Sequence, residues 1–127
     1  MRSDYYSLVK VLERIARFFE QLSQPNRGEY FNLLAGMIRE GRYEEAIEEL
    51  TGLRLWGGAG SYVDLVLYPK DGFVFGEEDF GRINAEYCSL LLDLLTQLER
   101  IAPRSWMGDM KDSLIRLKDY YSAINRC

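Results

Sequence analysis

Histidine is absent from all 127 residues. Ser–His and Cys–His nucleophile pairs and imidazole metal sites are therefore closed to this chain. Cysteine is nearly as scarce, with only Cys88 and the distant Cys127. A small secreted domain that is short of core usually carries more. The pair reads instead as one buried thiol in a helix and one exposed thiol at a frayed end, in a cytoplasmic protein. A bridge between them needs the tail to fold back. No apolar run reaches the roughly 18 residues of a membrane span, so no membrane is expected as a partner. The stretch from Met1 to Lys10 lacks the apolar core of a secretory signal.

What is present is ordinary globular composition, 47% hydrophobic and 28% charged, with a net charge of −4. At this length two independent cores would each be marginal, so one domain over 1–127 is expected. The net charge conceals an asymmetry: residues 1–39 sum to +2, residues 40–99 to −9 and residues 100–127 to +3. A negative middle argues against nucleic acid, whose binders need a basic face to displace counterions, and suits a basic partner. Such a charge run is also what a solvated surface looks like.

Apolar spacing predicts an all-α fold, a four- to five-helix bundle. Asp4 can cap a first helix to Leu22, with Leu8, Leu12, Ile15, Phe19 and Leu22 on one face. Pro25, Asn26 and Gly28 mark the next boundary, before a helix over Glu29–Glu40 with Tyr30, Leu34, Met37 and Ile38 inward. Gly41 is placed to end it in the left-handed conformation. A short helix to Leu50 turns Glu44, Glu45, Glu48 and Glu49 outward. From about Glu78 to Ile101 a long helix carries Phe80, Ile83, Tyr87, Leu91, Leu94 and Leu98 as one stripe, widened by Leu90, Leu92 and Leu95. It is expected at the centre, touching the first, second and last helices. Pro103 stops it. The last helix, Asp109 to Asn125, turns Met110, Leu114, Leu117, Tyr121 and Ile124 inward.

Between Leu53 and Phe80 the pattern breaks. Trp56-Gly57-Gly58-Ala59-Gly60-Ser61 cannot be a helix interior, where each glycine costs about 1 kcal/mol. Tyr62–Tyr68 reads either as a short helix capped by Ser61, with Asp64 completing the cap, or as a strand pairing with Phe73-Val74-Phe75 through a Pro69–Gly72 turn.

The chemical motifs are thin. The glycine run lacks the Gly-Lys-Ser/Thr of a phosphate loop, and the glycines read instead as a tight turn passing near another helix. The four helix glutamates lack the histidines of a di-metal bundle, so neither metal nor cofactor is expected. Asp64 alone among the acids is flanked by apolar residues, and local capping or an arginine pair accounts for it. Gly41–Glu48 shares local grammar with a tetratricopeptide turn, but no second copy follows at its 34-residue period. Nine tyrosines and two tryptophans exceed what the core must bury. Tyr5, Tyr6, Tyr62, Tyr68, Tyr120, Trp56 and Trp106 are candidates for exposed contacts, or else close the ends of the bundle.

The run Trp56 to Leu67 resembles a Gly-Gly-x-Gly-Ser-x-x-Asp-Leu-Val signature of small, mostly helical bacterial proteins of unknown function, with a long helix after the motif. The likeness covers about residues 30–101 and departs in having Tyr62-Val63 where Leu-Asn is expected. Such proteins look like immunity proteins, cytosolic partners of secreted toxins. The resemblance implies no catalytic residues. A non-enzymatic immunity protein is thus expected, blocking the basic cleft of a cognate toxin domain. Trp56, Tyr62 and Tyr68 would be its anchors, and Asp71, Glu77, Glu78 and Asp79 its complementary charge. The alternative is a small-ligand or enzymatic domain using the Gly57–Asp64 loop.

Overall fold

A computed structural model describes residues 3–124. Among them are five helices of eight or more residues, one further helical turn and no strand. The helices are α1 (Ser3–Gln21), α2 (Pro25–Arg39), α3 (Tyr43–Leu50), the single turn α4 (Leu53–Trp56), α5 (Phe80–Ile101) and α6 (Met107–Ile124). The all-α bundle read from the spacing is what forms, around one contiguous apolar core.

The order of packing is α2, α1, α5, α6, with α3 laid against α2. The centre is therefore shared by α1 and α5. Helix α1 buries Val9, Val11, Ala16 and Phe18 in addition to its expected stripe, because it has a neighbour on either side. Helix α5 packs chiefly on α1 and α6, so the expected contact with α2 is taken by α1. Helix α6 is covered along one side by Met107, Leu114 and Tyr121, which recur every seven residues. Leu117 and Ile124, expected inward, stand exposed. Asn125 and Cys127 lie outside the described residues.

Helix α2 starts four residues earlier than the Pro/Gly punctuation suggests. Pro25 takes the first helical position, where its missing N–H is no loss. Gly28 belongs to the packing: a Cβ there would lie 2.8 Å from Glu20 Cγ and 3.0 Å from the Ala16 carbonyl oxygen of α1. Gly41, at φ 81°, ends the α2 turn as expected. Ion pairs tie neighbours together at the surface: Arg39 to Glu13, Arg14 to Asp93 at 3.1 Å and Lys111 to Glu99 at 2.7 Å. Each contributes about 1 kcal/mol or less.

Neither reading of Tyr62–Tyr68 survives. The segment is irregular, with a turn at Val63 and Asp64, and it bonds to α4 carbonyls (Tyr62 N–H to Arg54, Val63 N–H to Leu55) and to α5 side chains rather than to a second strand. Asn84 of α5, 2% exposed, accepts the Leu67 N–H at Oδ1 (2.9 Å) and donates Nδ2 to the Leu67 carbonyl (3.0 Å). One amide thus supplies both bonds that a neighbouring strand would supply. The Tyr87 hydroxyl donates to the Tyr62 carbonyl at 2.6 Å. The expected second strand is clipped instead to the α1–α2 turn, where Val74 N–H donates to the Leu22 carbonyl and Gln24 Nε2 to the Gly72 carbonyl. Ser61 does not cap with its side chain: its carbonyl accepts Asp64 N–H while its buried Oγ has no partner among the described residues.

Candidate partner-binding surface

The seven residues expected to bind a partner fall into two groups. Trp56 and Tyr62 are packing residues. Trp56 is 7% exposed, donates Nε1 to the Leu50 carbonyl at 2.7 Å and lies 6.0 Å from the Trp106 ring. It closes the end of α3, and this corrects its reading as an exposed anchor. Tyr62 is half-buried, stacked on Tyr30 at 5.3 Å and edge-on to Phe31 at 5.0 Å, with the Arg27 guanidinium 5.4 Å from its ring centroid. Burial raises the Tyr62 phenol above its ordinary pKa and raises Tyr87 well above it. Tyr30 is raised too, by burial and then by its hydrogen bond to Glu49. Tyr5, likewise expected at the surface, is buried against Tyr43.

Tyr68 and the acids behave differently. Two single 3-10 turns, Pro69–Asp71 and Glu77–Asp79, bring Tyr68, Glu77, Glu78 and Asp79 to the start of α5, while Asp71 stands beside Gly72, which Gln24 holds to the α1–α2 turn. Tyr68, Pro69, Lys70, Glu77 and Phe80 line one cleft of about 280 Å³. From this cleft an aromatic ladder climbs onto α6. Tyr68 lies 5.2 Å from Phe80, Phe80 lies 5.8 Å from Tyr121, and Tyr121 lies 5.4 Å from Tyr120. Tyr68 is 39% exposed and Tyr120 61%. Leu117 and Ile124 extend the same face of α6 one turn to either side of Tyr120.

Asp71, Glu77 and Glu78 are exposed and have no salt-bridge partner among the described residues. Asp79 is half-buried and paired with Arg82 at 3.4 Å, so its charge is partly spent within the chain. Lys70 is a second nearby cation beside Arg82, with Nζ 5.1 Å from the Tyr68 ring centroid. The result is a polar-rimmed aromatic edge of negative sign. The sequence named Tyr68, Tyr120 and the acids, but assigned Phe80 and Tyr121 to the interior. Their role in linking the two helices has no signal in the spacing, because Tyr68 and Tyr121 are brought together only by folding.

The Gly-rich loop has a different logic. Gly58 and Gly60 sit at φ 90° and 86°, and a Cβ on either would meet nothing within 4 Å. Of backbone geometry and close packing, the two reasons the sequence offers for them, they serve the first; the close approach in this run is at Gly57, where a Cβ would lie 2.6 Å from the Leu53 carbonyl oxygen. Asp64 is exposed rather than held among apolar neighbours. Cys88 is buried on α5, where desolvation pushes its thiol up to about 11. Among the described residues no three acids or cysteines are grouped to hold a metal ion, and no helix is long and apolar enough to cross a membrane. In comparisons with known proteins the chain matches no family model, no curated protein and no solved structure.

Proposed function

We propose that this chain is a non-enzymatic binding protein of the immunity type, which occupies the basic cleft of a cognate bacterial toxin domain in the cytoplasm. The aromatic ladder Tyr68–Phe80–Tyr121–Tyr120 beside uncompensated Glu77 and Glu78 carries the reading. Exposed tyrosines on a rigid frame supply contact area at low entropic cost, and rim carboxylates steer a basic partner. The raised thiol of Cys88 and the absence of histidine support a role without catalysis. The acidic middle disfavours nucleic acid. The Gly57–Val66 signature supports the immunity class. A small ligand at the Gly57–Asp64 loop is the second reading, favoured by the unpartnered Ser61 Oγ. It calls for a saturable thermal shift with ATP or phosphate.

The test is capture of the partner from the native cell, followed by binding kinetics on variants. Reversing Glu77 and Glu78 to Lys slows association and flattens its salt dependence, with the fold intact. Tyr120→Ala speeds dissociation, by about 2 kcal/mol if that ring is a hot spot. A partner that binds both variants like the parent overturns the reading, and so does a capture that yields none.

A further inference from the structure

The α2–α3 hairpin carries a second concave surface that shares no residue with the aromatic ladder. Two hollows of about 500 and 430 Å³ adjoin at Leu33 and Met37. Tyr30, Leu34 and Met37 of α2 give one of them an apolar floor, and Glu45, Glu48 and Glu49 of α3 wall it. Glu29 and Glu40 border the other. Five carboxylates face two guanidiniums, Arg42 and Arg54. Arg42 is held by Glu45 at 2.7 Å, and Arg54 lies 3.3 Å from Glu49. Glu29 and Glu48 are exposed and have no cation partner among the described residues.

Two features of this groove have no explanation among the described residues. Leu33 is 61% exposed at mid-helix. Gly36, one turn on, would meet nothing within 4 Å if it carried a Cβ, and it has no positive φ. A glycine in a helix interior costs about 1 kcal/mol against alanine, and no contact within the fold requires this one. Glu29, Leu33, Gly36, Met37 and Glu40 share one outward face by their spacing. That face is apolar and narrow at its middle and acidic at its ends.

We propose that this groove receives an amphipathic basic helix of a partner protein. Its apolar stripe rests on Leu33 and Met37, its backbone comes close over Gly36, and its Lys or Arg side chains reach Glu29 and Glu48. Glycine at the crossing point lets two helix axes approach, and acids at both ends select a basic helix over a neutral one. This surface is separate from the aromatic ladder and stands or falls without it.

The probe is a synthetic Leu/Lys amphipathic peptide of about 14 residues, four helical turns, with its Leu/Glu counterpart as control. Titration into isotope-labelled protein is expected to shift the amides of Leu33, Gly36, Met37 and Glu48 saturably, while the acidic control shifts none. Gly36→Gln, which enters open space and replaces glycine with a better helix former, is expected to raise the melting temperature slightly yet weaken the Leu/Lys peptide at least about tenfold. Glu48→Lys, at an exposed position, is expected to weaken it in a salt-dependent way. Shifts centred on Tyr68 and Tyr120, equal affinity of the Gly36→Gln variant, or concentration-dependent dimerisation lost in that variant would each overturn the proposal. Loss of partner binding by the Glu77/Glu78 reversals with peptide binding intact supports two separate surfaces, this groove among them.

Discussion

Two glycines of α2 show how one residue type answers to opposite demands. Gly28 lies where α2 crosses α1, with the Ala16 carbonyl 3.0 Å from the position of a Cβ, whereas Gly36 faces open space. Gly36→Ala should raise stability by about 1 kcal/mol through helix propensity alone. Gly28→Ala has the same intrinsic gain but forces the crossing apart, and overpacking costs about 1–3 kcal/mol. Gly28→Ala should therefore come out less stable than Gly36→Ala by at least about 1 kcal/mol in paired urea denaturation. Equal effects would mean that the crossing yields freely. Trp56 makes a related point at the same scale. An indole between two glycine-rich turns looks available for contact, yet its N–H satisfies the last carbonyl of α3.

At the scale of the element, the insert between α4 and α5 is irregular backbone held by the helices around it. Leu67 and Phe73 anchor it in the core, and Asn84 and Tyr87 of α5 bind its carbonyls. Asn84→Leu keeps the volume and removes every polar bond of that side chain. Leaving the Leu67 N–H and carbonyl unsatisfied costs about 1–3 kcal/mol each, so a loss of at least about 2 kcal/mol is expected by chemical denaturation. Hydrogen exchange should quicken at Leu67 and at Val74, whose bond to Leu22 closes the far end of the same insert. The α5 amides should stay protected. If exchange quickens throughout α5 as well, Asn84 acts on the helix and not on the insert. The α6 element is the converse case. It is bound along one side, and this is why its remaining apolar residues can form a contact surface.

The whole molecule has an alkaline weakness. Burial holds the Cys88 thiol up at about 11 and raises the phenols of Tyr87, Tyr62 and Tyr121, with burial and the Glu49 bond raising Tyr30. In the unfolded chain these groups ionise at their ordinary values of about 8.5 and 10. Above pH ~8.5 the unfolded state therefore binds fewer protons than the folded one, and the stability of unfolding falls as pH rises. That contribution is complete below pH ~8; the Cys88 part is lost between about pH 8.5 and 11, and the tyrosine part from about pH 10 upward. Urea midpoints should be flat from pH 7 to 8 and drop beyond. Cys88→Ala should remove the earliest part of the drop, and the share of tyrosinate absorbance that belongs to Tyr30, Tyr62, Tyr87 and Tyr121 should appear together with loss of helix. Tyrosine ionisation that completes while helicity is unchanged would place these rings in contact with solvent.

What the sequence determined by itself is the part that depends on neighbours along the chain. Spacing of three and four residues, Pro103, Gly41 and the outward glutamates of α3 define the helices and the all-α class. The charge asymmetry singles out Glu77 and Glu78. What only the tertiary structure decided depends on partners far apart in sequence. Tyr62–Tyr68 has the composition of a strand, but Asn84 and Tyr87 reach its backbone first, so no second strand is needed. Val11 and Phe18 became core because α1 has neighbours on both sides. Tyr68, Phe80 and Tyr120 became one surface because α6 folds back onto the start of α5. Burial and side-chain pairing across such distances leave no periodic trace, because they arise from the order in which helices pack and not from the order in which residues follow one another.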